Sequence, residues 1–192
     1  MKPKSKDKEE RIKQALIDIV NEKGLSGVKM SEVAKKAEIA QGTIYIYFKT
    51  KTTLINATYL SHKKIANSSI ISNDLDEMPY VEALQKLWEN YCNYLLFNKK
   101  ELNFMQQCAD SDFLDSASIE SSTEFMDNIT TFFQKGIDTK LLKDNPIPLI
   151  IGIFVGFSKE LIQILSYIVD DEKARKIMLE NAFEMCWNAV RR

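Results

Sequence analysis

The stretch from Ala40 to Lys51 reads Ala-Gln-Gly-Thr-Ile-Tyr-Ile-Tyr-Phe-Lys-Thr-Lys. It is rich in aromatic and β-branched residues and is flanked by lysines. On a helix, where side chains advance by about 100° per residue, Ile44 and Phe48 fall one turn apart on one side. Gly42, Thr43, Ile46 and Tyr47 fall on the other. One side can then anchor in a core while the other presents a small residue, a hydroxyl, a methyl group and a phenol. That set suits a helix pushed into the major groove of double-stranded DNA. Taken alone, the run fits an ordinary core segment better, because short apolar runs are ambiguous.

The context changes this reading. Just upstream lies Met30-Ser-Glu-Val-Ala-Lys-Lys-Ala-Glu38, a short amphipathic helix with Val33, Ala34 and Ala37 on one face. Two short helices joined by a few residues make a helix-turn-helix, whose second member reads the duplex. Residues 8–54 resemble the DNA-binding domain of the TetR family of bacterial transcriptional repressors. The matching pieces are Val33-Ala34, Gly42-Thr43-Ile44-Tyr45, Tyr47-Phe48, and Lys51 followed by Leu54. The resemblance implies DNA-contacting roles at Gln41, Gly42, Thr43, Tyr45, Tyr47 and Lys51. Phosphates would be met by Lys51, Tyr47 and helix-start amides, and base edges by Gln41, Thr43 and Ile46. The family often has a polar or aromatic residue where Ile46 stands; isoleucine can touch a thymine methyl but cannot hydrogen-bond a base. Tyr45 fits a partly buried core position as well as a phosphate contact. The chain departs from the family at Glu38, where a turn glycine is usual and a side chain costs about 1 kcal/mol. It departs again at Lys29 and Ala40, which replace the usual hydroxyl caps; Ser31 is a candidate substitute for the first.

The chain has 192 residues, enough for a substantial core, and its net charge of −1 hides an asymmetry. Residues 1–65 carry 14 Lys or Arg against 7 Asp or Glu, a net +7; the remainder carries 12 against 20, a net −8. A basic end for a polyanion and an acidic body for another partner fit this division. The first residues, Met-Lys-Pro-Lys-Ser-Lys-Asp-Lys, lack an apolar region behind them and do not read as a signal peptide. Ile147–Phe157 is read as broken by Pro148, Gly152 and Gly156, so no apolar run is expected to span a bilayer. Three widely spaced cysteines, Cys92, Cys108 and Cys186, form no CxxC pair, and the cytoplasm is the expected compartment. With one histidine, His62, read as solvated beside Lys63 and Lys64, a metal site or histidine-based catalysis has little to draw on. Neither metal nor cofactor is expected.

Few strand signals and only four prolines and six glycines predict an all-α chain of about nine helices. The first runs from Asp7 to Lys23 with Gly24 as its stop. Thr50 caps a helix that begins at Lys51. Pro79 and Pro146 open two more, Gly136 ends another, and Asp170 or Asp171 caps the last. The division expected is a three-helix helix-turn-helix head over 1–50 and a helical body over 51–192, with 51–72 as a connecting helix.

Two features of the body point to partners. In the last helix Met178, Ala182, Met185, Cys186 and Ala189 are read as one stripe beside Trp187. Gly152 and Gly156 leave a smooth strip on the helix before it. An internal core would also explain both; the resemblance implies a homodimer through the last two helices, and a two-fold dimer fits a palindromic operator. Aromatic and methionine residues recur between 88 and 133: Trp88, Tyr91, Tyr94, Phe97, Phe104, Met105, Phe125, Met126 and Phe133. They fit a core, or the small-molecule cavity that the resemblance implies. Trp88, Tyr91, Phe104, Met105, Phe125 and Met126 are the candidate lining. Residues 74–127 hold 12 Asp or Glu against 3 Lys, which favours a lipophilic, cationic effector. The function expected is a repressor released from its operator by a small molecule, the alternative being a DNA-binding structural protein without an inducer. No nucleophile–base–acid set, metal cluster or phosphate loop speaks for an enzyme.

Overall fold

The computed structural model describes residues 5–72, 74–168 and 171–192, apart from the side chains at 121, 122, 124, 125 and 168. Among them are nine α-helices, one short 3-10 turn and no strand. The helices are α1 Lys6–Lys23, α2 Met30–Lys36, α3 Gln41–Tyr47, α4 Lys51–Ile70, α5 Tyr80–Phe97, α6 Lys99–Ala109, α7 Ser116–Asp138, α8 Ile147–Ile168 and α9 Glu172–Val190. This is the all-α architecture that the periodicity predicts. The chain forms two compact units, residues 1–65 with 98–122, and residues 66–97 with 123–192.

In the first unit, α1 contributes Ile12, Leu16, Ile17 and Val20, all essentially without exposure. Burial of each such side chain stabilises by about 1.5–3 kcal/mol. Gly24 ends α1 at φ 75° and donates to the Val20 carbonyl, the left-handed stop expected of glycine. Helix α1 packs on α2, and α2 on α3. Helix α6 also lies along α1, so residues far apart in sequence support the three-helix head. Gln107 Oε1 accepts from the Leu25 amide at 3.0 Å, the Asn103 amide donates to Asn21 Oδ1 at 2.9 Å, and Lys100 pairs with Asp18 at 2.7 Å. His62 is half-buried rather than solvated. Burial lowers its pKa, the nearby charges being Glu101, Glu10 and Lys13.

Helix α4 opens with a reciprocal cap. Thr50 Oγ1 accepts from the Thr53 amide at 3.1 Å, and Thr53 Oγ1 accepts from the Thr50 amide at 3.1 Å. Each orphan amide of the first turn that finds a side-chain acceptor removes a cost of about 1 kcal/mol.

In the second unit α5 packs on α8 and α9, and α8 on α9. Six rings follow one another through it. Tyr80 stacks on Phe132 at 5.0 Å, and Phe133 touches Phe132 at 5.8 Å and Phe154 at 5.6 Å. Trp88 meets Phe154 edge-on at 5.9 Å and Phe183 at 6.3 Å. Gly136 is not the end of α7. It is buried inside the helix, where a Cβ would collide with the Tyr80 ring and Leu142. The chain turns instead at Lys140, φ 59°. Asp171 caps α9, accepting from the Lys173 amide. At the far end of α9, Lys143 N donates to Val190 O at 2.8 Å, Arg192 N donates to Leu141 O at 3.0 Å, and Lys143 Nζ donates to Ala189 O at 2.8 Å. The cation there meets the carbonyl end of the helix dipole.

Two expectations about α8 and α9 are corrected. Pro148, Gly152 and Gly156 do not break α8, because proline is tolerated in a first turn and glycine only weakens a helix interior. Ile147–Tyr167 is, by length and composition only, long and apolar enough to cross a membrane, a test that the core helix of a soluble protein also passes. The predicted stripe on α9 is not uniformly buried. Ala182 and Cys186 are buried within the unit, Met178 is half-buried, and Met185 and Ala189 are exposed.

Candidate nucleic-acid interface

The head presents α3 by its packing. Ile44 and Phe48 are buried, as their one-turn spacing requires, and they fix the helix from behind. Val33, Ala34 and Ala37 supply the facing surface of α2. The turn between the helices passes through Glu38 at φ 55°, a left-handed residue where glycine would be unstrained. Its carboxylate lies 4.0 Å from Arg11. Neither α2 nor α3 has a side-chain cap, as Lys29 and Ala40 lead one to expect.

The outward side of α3 carries Gln41, Gly42, Tyr45 and Ile46. Among the described residues, no atom lies within 4 Å of a Cβ built on Gly42, so that edge is open to a partner. Ile46 is 59% exposed and Tyr45 46%. Thr43 and Tyr47 are half-buried at the margins. The Ser5 amide donates to Tyr47 Oη at 3.1 Å and brings the start of α1 to the end of α3. Lys29 and Lys49 flank the same helices and are exposed. Neither belongs to the sequence-derived set, although both were legible as lysines beside the motif.

Lys51 is more confined than the sequence implies. Its ammonium donates to the Ser26 carbonyl at 3.2 Å and lies 4.8 Å from the centre of the Phe113 ring. Burial lowers its pKa. An ammonium has three donors, so the Ser26 carbonyl leaves capacity for an anion.

The six candidate effector residues are divided between the units. Phe104 and Met105 are buried in the first. Trp88, Tyr91 and Met126 belong to the second, where Trp88 is buried, Tyr91 half-buried and Met126 exposed. The Phe125 side chain lies outside the described residues. The second unit has a cleft of about 950 Å³ between α5 and the first half of α9, bordered by Trp88, Glu89, Leu96, Arg175, Leu179 and Phe183 among others. Trp88 Nε1 is buried and has no acceptor among the described residues. All three thiols are buried, and burial pushes Cys92 and Cys108 up to about 12 and Cys186 to about 11. Among the described residues, no group of three or more His, Cys, Asp or Glu side chains could hold a metal ion.

A helix-turn-helix in a three-helix head, followed along the chain by a helical body, defines an all-α protein of the bacterial regulator class. Residues 14–58 match the model of bacterial regulatory proteins of the tetR family, and residues 55–192 match the tetracyclin repressor-like C-terminal domain. The chain belongs to the TetR family. It is 46% identical over 57 residues to YvdT, an HTH-type transcriptional regulator of Bacillus subtilis, covering 30% of this chain and 29% of the relative. It is 30% identical over 109 residues to an HTH-type transcriptional regulator of Haemophilus influenzae, covering 56% of this chain and 57% of the relative. These matches therefore span less than two thirds of either relative. In fold it is similar to a TetR family transcription regulator from Marinobacter aquaeolei, with a TM-score of 0.82 over 96% of each chain at 20% identity.

Proposed function

We propose that this protein is a cytoplasmic, dimeric repressor that grips a palindromic operator with α3 and lets go when a small molecule binds its body. The observation that carries the DNA half is the exposed face of α3, held by two buried anchors and open at Gly42. Gln41, Thr43 and Ile46 are assigned to base edges, and Tyr45, Tyr47 and Lys51 to phosphates. Residues 1–50 act as the reading head and 51–192 as the effector and dimerisation part. The test is selection of bound duplexes from a random library. Palindromic sites should be enriched, Thr43→Ala or Gln41→Ala should relax preference at particular base pairs, and Lys51→Ala should weaken all sites alike. A Thr43→Ala protein that selects the wild-type site unaltered would remove α3 from base readout.

The effector half rests on the α5–α9 cleft and on Trp88 at its border. A buried indole N–H without an acceptor costs about 1–3 kcal/mol, which an acceptor group on a ligand would recover once the ring turns towards the cleft, since the nitrogen itself is covered. Leu96, Leu179 and Phe183 offer the apolar contact. The border carries Arg175 and Lys176 as well as Glu89 and Glu180, so the cleft gives no preference for a cation. The effector we infer is therefore lipophilic with a hydrogen-bond acceptor. A ligand that releases operator must bind the two states unequally, with a coupling of about 1–3 kcal/mol. Calorimetry of one releasing compound should show weaker binding when operator is present, and Trp88→Ala should weaken it in both conditions. Equal affinity with and without operator would leave no switch.

A further inference from the structure

Asn56 is a polar side chain buried on α4 at 5% exposure, and its hydrogen bonds run to backbone. Its amide donates to the Thr52 carbonyl at 2.9 Å, one turn back on its own helix, and to the Phe113 carbonyl at 2.8 Å. Its Oδ1 accepts from the Asp115 amide at 3.0 Å. One side chain thus fixes both ends of the short segment 113–115 against the first turns of α4. Asp115 is itself held, since its Oδ1 accepts from the Ser118 amide at 2.8 Å as the cap of α7. The ring of Phe113 is thereby placed under the ammonium of Lys51, 4.8 Å from its centre, while the Ser26 carbonyl takes one of the three N–H groups.

We propose that Phe113 and Asn56 are positioning residues for DNA binding: the ring holds the Lys51 ammonium in one place at the start of α4, and Asn56 holds the ring. This rests on the reading of Lys51 as a phosphate contact. A long lysine side chain has much rotamer freedom to lose when it meets a phosphate. A cation already seated on an aromatic face and a carbonyl has lost that freedom before DNA arrives, and it keeps its charge. The ring makes no contact with DNA in this scheme and acts only through the lysine. Neither residue belongs to the helix-turn-helix, and Phe113 lies 62 positions beyond Lys51.

The experiment measures affinity for a mixed-sequence duplex across a salt series, because phosphate contacts are shared by all sequences. Lys51→Ala should flatten the dependence of log affinity on log salt by about 0.9 for each phosphate that it leaves unneutralised. Phe113→Leu should weaken binding about two- to fivefold per subunit, the scale of a surface cation–π contact, and leave the slope unaltered. Asn56→Ala, which removes the donor to the Phe113 carbonyl without adding a charge, should behave like Phe113→Leu. Phe113→Tyr, which keeps the ring, should bind as the wild type does. In a Lys51→Ala background, Phe113→Leu should have no further effect. An equal loss in both backgrounds would make Phe113 merely structural and overturn the inference, as would full affinity in Phe113→Leu. If Lys51→Ala leaves both affinity and slope intact, the phosphate contact itself fails, and the inference with it.

Discussion

Glu38 occupies the turn between α2 and α3 with a backbone that only glycine adopts freely, at φ 55°. Its ionic partner, Arg11, is half-buried but lies 4.0 Å away, at the limit of an ion pair, and the Glu38 side chain is 84% exposed, so the pair returns little. Glu38→Gly should therefore raise the unfolding free energy by up to about 1 kcal/mol. Urea denaturation of the two proteins measures this, and a loss of stability would mean that the glutamate has a partner worth more than the strain. This position was legible because the motif fixes where the turn must fall. His62 was not. Flanking lysines make it look solvated, whereas it is half-buried and the charges acting on it, Glu101, Glu10 and Lys13, stand on α6 and α1, which no local pattern around it reveals.

Helix-scale reading failed where one residue type has two uses. Gly136 follows an apolar run and resembles a stop. Its actual reason is Tyr80, on another helix, whose ring fills the space a Cβ would need. Gly136→Ala gains about 1 kcal/mol of helix propensity and loses more to overpacking, typically about 1–3 kcal/mol. A net fall in melting temperature is expected in calorimetry; a rise would show that Tyr80 can step aside at no cost. By contrast, the Thr50 cap, the Gly24 stop and the cap of α9 at Asp170 or Asp171 all lie within a few residues of what they serve, and for that reason could be read from the chain, whereas the reciprocal bond from Thr53 could not.

At the scale of the whole molecule, the apolar surface that remains uncovered is the ground for proposing a dimer. On α8, Leu149 is 63% exposed and Gly152 and Gly156 face open space. On α9, Met185 is 63% exposed and Ile177 is also exposed. Met185→Glu would place an unpaired carboxylate in the proposed interface, which is costly without a partner. Sedimentation should then show monomers, with much weaker operator binding; a dimeric variant would move the interface elsewhere. The periodicity of α9 marked Met185 but also drew in Ala182 and Cys186, which are buried within their own subunit. A broad apolar stripe does not say which of its residues meet the subunit's own core and which face outward. The effector set suffered similarly, since aromatic residues of the core and of a cleft have the same composition.

The three buried thiols open a route to watching the protein at work. Burial keeps them protonated as well as covered, so in the native state they present no thiolate to an alkylating label. A cysteine introduced at an exposed position such as Lys49 would then be the reactive one without any native cysteine being replaced. In a dimer it would appear twice, once beside each α3. A pair of spin labels there would give the separation of the two reading helices directly, with and without the effector.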